Sequence, residues 1–566
     1  MAHELVEETI RRLPFALGVL ALLAVASYYI VPLLLPDVLP ELKIPSGARL
    51  IGGHLQQILH PAHSPVVHER LIRDYGRNTC IQGLHPGDRR LLPLDPVTLA
   101  HVMKHPEQYE KPEISREIIT RFIGLGMLSA EGAVHRRQRR VAAPAFGVQN
   151  LRALVPLVFG LSEQMKDRWL SLASEAEAAS TTKERGIVLD IVNWMSRATF
   201  DVIGLAGFDY HFNAIQHEKD ELFVAYRDMF EIGVAQSQRS RSLIKVIFPF
   251  LNWLFPDDYT RVIVSSHEVI YRIARKLIAD KKARIASAEA SGVPYERKDL
   301  LTLMLRSNAS TDLSPDQRMT DDDMLNSINT FMFAGSDTTS LALTWTLVLL
   351  AKHPEWQARL RRELRSVPRP AVLDDEGVHE LWKDIDRLPD LDKVCRESLR
   401  LISPVHSTLR VATEDDYMPV SKPYEGRDGR VHNGVTIKKG TIVHVPVEGM
   451  NLDKGYWGPD AWKFIPDRWD NLPEAVAELP GLYSNTLTFS GGPRSCIGQK
   501  FSMVEMKTFL YTLLCNLSFA EAEQQTVVKA NVVLIRPYVR GKFEEGSRCP
   551  LRVTPYVPGD DEPTSV

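Results

Sequence analysis

The apolar positions open with one unbroken stretch. Leu13 through Leu35 carries no charged side chain, and a run of that length covers a hydrocarbon core of about 30 Å. It predicts a transmembrane anchor, with Tyr28 and Tyr29 toward one interface. A cleaved signal peptide is the rival, with Ala24-Val25-Ala26 as its cleavage site, but the apolar run continues well past that point. Pro32, Pro36, Pro40 and Pro45 then make a stiff, extended tether. Short strand-like pieces surround Tyr75 to Pro93. From Val97 onward apolar residues recur at helical spacing, over about 149–176, 189–207, 215–235 and 258–286. The longest such segment runs from Thr320 to Lys352. Thr320 and Asp323 have capping-box spacing, and Pro354 ends the pattern. That length predicts a helix crossing the whole domain. Further helices are predicted from Leu388 to Ile402 and from Gln499 to about Cys515. Period-two alternation marks strands at Val435-Thr436-Ile437 and Thr441-Ile442-Val443, around the Lys438-Lys439-Gly440 turn. The chain therefore reads as mainly α with a small segregated β-sheet region.

Length changes this picture little. The chain has 566 residues, enough for about three or four domains, yet no Gly/Ser linker, low-complexity break or internal repeat divides it. The expected organisation is an N-terminal segment 1–12, an anchor 13–35, a proline-rich tether 36–45 and one catalytic domain 46–566. The net charge of −3 leaves no basic excess for nucleic acid. Cys80, Cys395, Cys496, Cys515 and Cys549 are too widely spaced for a disulfide framework, which fits a reducing compartment. Arg11 and Arg12 before the anchor are balanced by Lys43 and Arg49 after it, so charge leaves the membrane orientation open.

The chemistry concentrates near the C-terminus. Phe489-Ser490-Gly491-Gly492-Pro493-Arg494-Ser495-Cys496-Ile497-Gly498 places a lone thiol between glycines, beside an arginine and at a helix start. Helix N-termini and nearby cations lower a cysteine pKa from about 8.5, so a thiolate is expected. The glycines let backbone approach something large and flat. The alternative is a buried structural cysteine under a Gly-rich turn. Zinc is excluded, because no CxxC pair or near histidine accompanies Cys496. Inside the long helix, Ala334-Gly335-Ser336-Asp337-Thr338-Thr339 is a run of poor helix formers that predicts a local opening. A kink carrying a solvated aspartate is the alternative. Glu397 and Arg400 lie three apart on one helix face.

The spacing Phe-x-x-Gly-x-Arg-x-Cys-x-Gly resembles that of the cytochrome P-450 family of haem-thiolate monooxygenases. The other motifs follow in that family's order. The helix motif fits its Ala/Gly-Gly-x-Asp/Glu-Thr-Thr/Ser pattern. Phe464-Ile465-Pro466-Asp467-Arg468-Trp469 resembles its Phe-x-Pro-Glu-Arg-Phe/Trp segment, with Asp467 in place of Glu. Where the family often has Trp-x-x-x-Arg, this chain has His135 and Arg139, within Glu131-Gly-x-x-His-Arg-Arg-Gln-Arg-Arg. The resemblance implies haem b, with Cys496 as axial iron ligand and Phe489 beside it. It implies that His135, Arg139, Arg410 and Arg494 hold the propionates, since planar bidentate donors suit carboxylates. Thr338 would hydrogen-bond the activated dioxygen, and Asp337 would relay protons from solvent. Glu397, Arg400 and Arg468 would form a buried ion network under the cysteine loop.

The function so implied inserts one oxygen atom of O2 into an apolar small molecule. No flavin or nicotinamide motif is present, so electrons would come from NADPH through a separate NADPH–cytochrome P-450 reductase. Arg136, Arg140, Lys500 and Lys507 are the expected basic docking patch. The resemblance places the anchor in the endoplasmic reticulum membrane, single-pass, with a cytosolic catalytic domain. The Glu131–Arg140 stretch is most similar to fungal secondary-metabolism members. Phe122–Leu128, Met324–Thr338, Pro404–Leu409 and Val533–Pro537 are the expected pocket segments, with His406, Ser407 and Thr408 as polar anchors and a terpenoid or sterol-like skeleton as substrate. The rivals are a haem-thiolate isomerase or peroxide-using enzyme, which needs no proton relay, and a membrane-tethered haem sensor.

Overall fold

The computed structural model describes residues 37–49, 52–179, 185–237, 258–292, 295, 297–310, 314–370, 373–531 and 533–559, with scattered positions between 18 and 30. The expected anchor Leu13–Leu35 lies mostly outside the described residues. Among the described residues no single helix is long and apolar enough to cross a membrane.

Helices dominate. Those that position the site are α1 (Gly132–Ala142), α2 (Val148–Ala179), α3 (Ile191–Phe208), α4 (Glu221–Ser237), α5 (Asp258–Ala290), α6 (Asp321–Lys352), α7 (Pro389–Leu401) and α8 (Gln499–Asn516). Helix α6 is buried on nearly every side, with hydroxyl side chains such as Ser340, Thr344 and Thr346 buried among its apolar residues. Its start is set by a reciprocal cap. The Asp323 amide donates to Thr320 Oγ1 at 3.1 Å, and the Thr320 amide donates to Asp323 Oδ2 at 3.0 Å. Helix α3 crosses it closely. A Cβ added at Gly335 would lie 3.0 Å from Ile203 Cδ1, so this glycine serves helix packing. The opening expected at Ala334–Thr339 is not formed. The helix is continuous there, held by burial against α3, and its hydroxyls bond within their own turn: Ser336 Oγ donates to Met332 O at 2.6 Å and Thr338 Oγ1 to Ala334 O at 2.7 Å.

Among the described residues twelve short strands form four small sheets. The largest has the order β1 (Asn78–Gln82), β2 (Arg89–Pro93), β8 (Ile442–Val445), β5 (Thr408–Ala412), β3 (Tyr109–Glu110). A second joins β4 (Ile187–Asp190), β12 (Pro550–Pro555) and β9 (Leu517–Glu521); two hairpins are β6 (Asp416–Glu425) with β7 (Val431–Ile437), and β10 (Val527–Asn531) with β11 (Ile535–Val539). The two strands around Lys438-Lys439-Gly440 do not pair with each other. Strand β7 pairs with β6, whereas β8 pairs in parallel with β2 and antiparallel with β5. Alternation reveals a strand but not its partner.

Two apolar cores result, one among the helices and one under the largest sheet. The cysteine loop lies where they meet. Leu487 belongs to the sheet-side core, while Phe489 and Ile497 pack against the helical one. A polar network ties the loop down. Arg400 donates to both carboxylate oxygens of Glu397, at 2.9 and 2.8 Å, with both side chains fully buried. Its remaining nitrogen donates to Asn451 O and Ala461 O. Arg468 Nε reaches Glu397 Oε1 at 3.3 Å, and the Ile465 amide donates to the same oxygen at 3.1 Å. Asn451 carries the connection onward: its Oδ1 accepts from the Leu487 amide at 2.8 Å and its Nδ2 donates to Thr488 Oγ1 at 3.0 Å. The Cys496 amide in turn donates to Phe489 O at 2.9 Å. Asp467 stands apart from this network and accepts from Arg359 at 2.9 Å.

Glu397→Ala leaves buried guanidinium groups unpaired and is expected to cost about 3–5 kcal/mol. The check is the thermal unfolding midpoint, and an unchanged midpoint would show that the pair is dispensable. A second test concerns Glu505 on α8. It is wholly buried, and neither carboxyl oxygen has a hydrogen-bond partner of good geometry. Burial pushes its carboxyl well above the usual range, opposed by the Thr339 hydroxyl. The folded state therefore binds a proton that the unfolded state has released, so stability falls as pH rises from the ordinary carboxylate range toward the raised folded value. Glu505→Gln should remove that loss. Its stability relative to the parent should grow with pH in denaturant titrations from about pH 5 to 8; a constant difference would mean Glu505 is charged.

Candidate functional site

Of the five cysteines, Cys496 alone is exposed; the other four are buried. It sits just before the N-terminus of α8, whose N-cap is Gly498. Gly492 has φ 64°, and a Cβ there would meet Met103 O at 2.2 Å, so only glycine lets this loop close on its neighbour. The backbone amides of Gly498 and Gln499 and the guanidinium of Arg139 all favour a charged sulfur. Even so, burial among protein atoms outweighs them and the thiol is pushed up. The expectation of a pKa lowered by the protein alone is corrected here. A bound metal cation deprotonates a coordinating thiol outright, so this sulfur matches a metal ligand better than a free nucleophile.

Beside the loop is an excess of buried cationic groups. Arg139 Nη1 donates to Ser495 O at 2.7 Å. Arg494 donates to Ala130 O at 2.8 Å and pairs with Glu131. Lys111 reaches the same carboxylate at 3.2 Å. Arg410 donates to its neighbour Leu409 O at 2.7 Å, and among the described residues no carboxylate pairs with it. Burial lowers Arg410 to about 10 and Arg494 to about 10. Burial, then Arg410 and Arg494, brings Lys111 down to about 6. His135 is lowered to about 4 by burial, then by Lys111 and Arg139. Arg494 and Lys111 share Glu131, while among the described residues Arg410 and His135 pair with no carboxylate. Buried charges are ordinarily paired, so this cradle is short of anions. A group with two carboxylates supplies what is missing, and haem b, with its two propionates, fits the donor set. Lys111 was not picked out in the sequence, having no local motif around it, and Glu131 figured there only as the first residue of the Glu131–Arg140 stretch, without a role.

The distal side is carried by α6. Phe146 links it to the loop, with its ring edge 3.9 Å from a Cβ built at Gly498 and its centroid 5.6 Å from Phe331. Farther along, Phe122, Phe230 and Phe333 form an aromatic cluster with centroids 5.0 to 6.3 Å apart. Asp337 faces no solvent. It is 5% exposed and pairs with Arg536 from β11. Burial raises its carboxyl and Arg536 draws it back. Arg536 was also missed, although it lies within the segment Val533–Pro537. Among the expected polar anchors, His406 is committed elsewhere, buried at 3.0 Å from Glu448 and 3.2 Å from Ser64 Oγ.

On the outer surface Arg136 and Arg140 are exposed, touching Glu107 and Gln317, and Lys500 is exposed as well. Lys507 does not belong with them. It is buried and donates to Asp386 at 2.9 Å, because α8 turns that face inward. Arg137, between Arg136 and Arg140 in sequence, turns to pair with Asp323 at 2.9 Å.

Comparison with known proteins agrees with this geometry. The family model for cytochrome P450 matches residues 45–540. Cytochrome P450 monooxygenase 128 of Postia placenta is 37% identical over 97% of this chain and 99% of its own length. A ganoderic acid synthetase of Ganoderma lucidum is 33% identical over 83% of this chain and 86% of its own. Cytochrome P450 monooxygenase claW of Ampulloclitocybe clavipes is 30% identical over 90% and 92%. With the family model matching residues 45–540 and relatives similar over most of their length, the chain belongs to the cytochrome P450 family of monooxygenases.

Proposed function

We propose that this monooxygenase oxidises an apolar terpenoid or sterol-like skeleton in fungal secondary metabolism, drawing electrons from NADPH through a membrane-bound reductase. The observation that carries the substrate class is the Phe122, Phe230 and Phe333 cluster against α6. A relative named ganoderic acid synthetase supports it. Leu13–Leu35 would anchor the chain in the endoplasmic reticulum membrane with the catalytic domain in the cytosol.

The roles of the residues follow from their chemistry. Haem, when bound, supplies the activation of O2. Cys496 is the iron ligand, and a thiolate ligand pushes electron density that favours O–O cleavage. Arg410, Arg494, His135 and Lys111 orient the propionates, while Arg139 braces the loop through Ser495 O. The aromatic cluster excludes water and presents the substrate. Asp337 and Thr338 deliver protons, a need that an isomerase or peroxide-using enzyme lacks. Arg136, Arg140 and Lys500 offer positive charge to an acidic flavoprotein.

Incubating microsomes containing the protein and a reductase with terpenoids and sterols, read by mass spectrometry, tests the substrate class; absence of any product gaining one oxygen atom would reject it. Cys496→Ala is expected to abolish the red-shifted Soret band of the ferrous carbon monoxide adduct. Substitution of Cys80, Cys395, Cys515 or Cys549 should leave that band, and a band persisting in Cys496→Ala would move the ligand elsewhere. Charge reversal at Arg136 and Arg140 should slow the first electron transfer and flatten its salt dependence, because exposed charges are screened beyond about 8 Å at physiological salt. Peroxide-driven turnover should be spared; equal loss in both assays would assign these arginines to the fold.

A further inference from the structure

We infer that Arg536 is a latch on Asp337, and that the β10–β11 hairpin thereby controls when protons reach Thr338. The inference rests on the proton-delivery roles proposed above for Asp337 and Thr338. It starts from a relay that is parked. Arg536 Nη2 donates to Asp337 Oδ2, with the two residues 9% and 5% exposed. The neighbouring Thr338 hydroxyl donates backward to Ala334 O at 2.7 Å. Thr338 must give up its bond before it donates elsewhere, and Asp337, as acceptor of the Arg536 guanidinium, is disfavoured from taking up the proton it would pass on.

The latch is built to exchange. Structural arginines in this chain are saturated: Arg400 has Glu397, Asn451 O and Ala461 O, and Arg468 has Glu397, Trp457 O and Asp460. Arg536 has Asp337 as its one side-chain partner among the described residues, and its Nε has no acceptor. A guanidinium held by a single carboxylate loses less on moving than one held by four acceptors. The hairpin that carries it also touches the expected pocket wall. The Ile535 amide donates to Pro404 O at 2.8 Å, and Ile535 O accepts from Trp345 Nε1 on α6 at 2.9 Å. Its tip residue Val533 is 68% exposed. On the other strand Lys529 pairs with Glu448, which also meets His406. A molecule pressing on Val533 and Leu534 would act on the Arg536–Asp337 pair through the strand they lead into. Arg536 touches neither substrate nor cofactor in this scheme, so it is a positioning residue.

The test uses the full-length, haem-loaded protein, reduced and mixed with O2, with reoxidation rate and peroxide per haem reoxidised as readouts. Arg536→Gln should raise the rate about fivefold, the low end of coupling between two sites, and should raise peroxide release. Arg536→Lys keeps the charge and should stay near the parent. Lys529→Gln loosens the other strand without touching Asp337 and should not accelerate reoxidation; acceleration in it as great as in Arg536→Gln would assign the effect to hairpin packing and overturn the latch. Acceleration must also vanish in Arg536→Gln/Asp337→Asn; if it persists, the latch is wrong. Should Arg536→Gln fail to take up haem, the double variant is compared with Asp337→Asn. Equal rates support action through Asp337, and unequal rates overturn it. Independently of turnover, infrared difference spectra at neutral pH should show a protonated carboxyl band in Arg536→Gln that is missing from the double variant; no such band overturns the claim that Arg536 holds Asp337 charged. If Asp337→Asn alone leaves reoxidation and its solvent isotope effect unchanged, the relay assignment itself fails, which is a different result from a working relay with no latch.

Discussion

The site depends on one buried carboxylate. Glu397 accepts from Arg400, Arg468 and the Ile465 amide, and every donor in that set is tied to a further piece of backbone. The bonds to Asn451 O and Ala461 O fix the segment after β8, and Asn451 in turn grips Leu487 and Thr488. The loop bearing Cys496 has little regular structure of its own between Phe489 and Gln499. A loop of that kind keeps one geometry only if its ends are held by interactions costly to break. Buried, fully satisfied ion networks have that property, because removing any member strands a charge.

Around this anchor the electrostatics are deliberately incomplete. Glu131 is shared by Arg494 and Lys111, while Arg410 and His135 have no anion of their own. Burial works against each of these groups in its charged form, which is why Lys111 falls to about 6 and His135 to about 4. The thiol shows the complementary strain, since protein alone pushes it up despite Arg139 and two amides. Cations short of carboxylates on one side and a sulfur short of a cation on the other are both resolved by the same ligand.

The distal half follows a different logic. Helix α6 is packed so tightly against α3 that Gly335 is needed for contact with Ile203. A rigid, continuous helix positions Thr338 well but leaves little freedom to move protons. Freedom is left to the side chains, and in particular to an aspartate whose partner comes from a hairpin near the chain's end. Restraint of the backbone at Thr338 and an exchangeable partner for the adjacent Asp337 are compatible because they reside in different elements.

The sequence by itself determined what is local. The capping box Thr320/Asp323 marked the start of α6, Pro354 its end, and the Phe489–Gly498 spacing marked the thiol loop and the helix after it, since caps, breakers and turns act over a few residues. Glu397 and Arg400 were visible as one helix face. Helix bounds over α2, α3, α5 and α7 fell within a few residues of the apolar pattern. Only the tertiary structure decided partners far apart in sequence. Arg536 is 199 residues from Asp337, and His406 is 342 from Ser64; no periodicity encodes such pairs. It also decided that β7 and β8 enter different sheets, that Lys507 turns inward, and that the poor helix formers of α6 stay helical. In each case burial against a distant element outweighed a local preference worth about 1 kcal/mol or less.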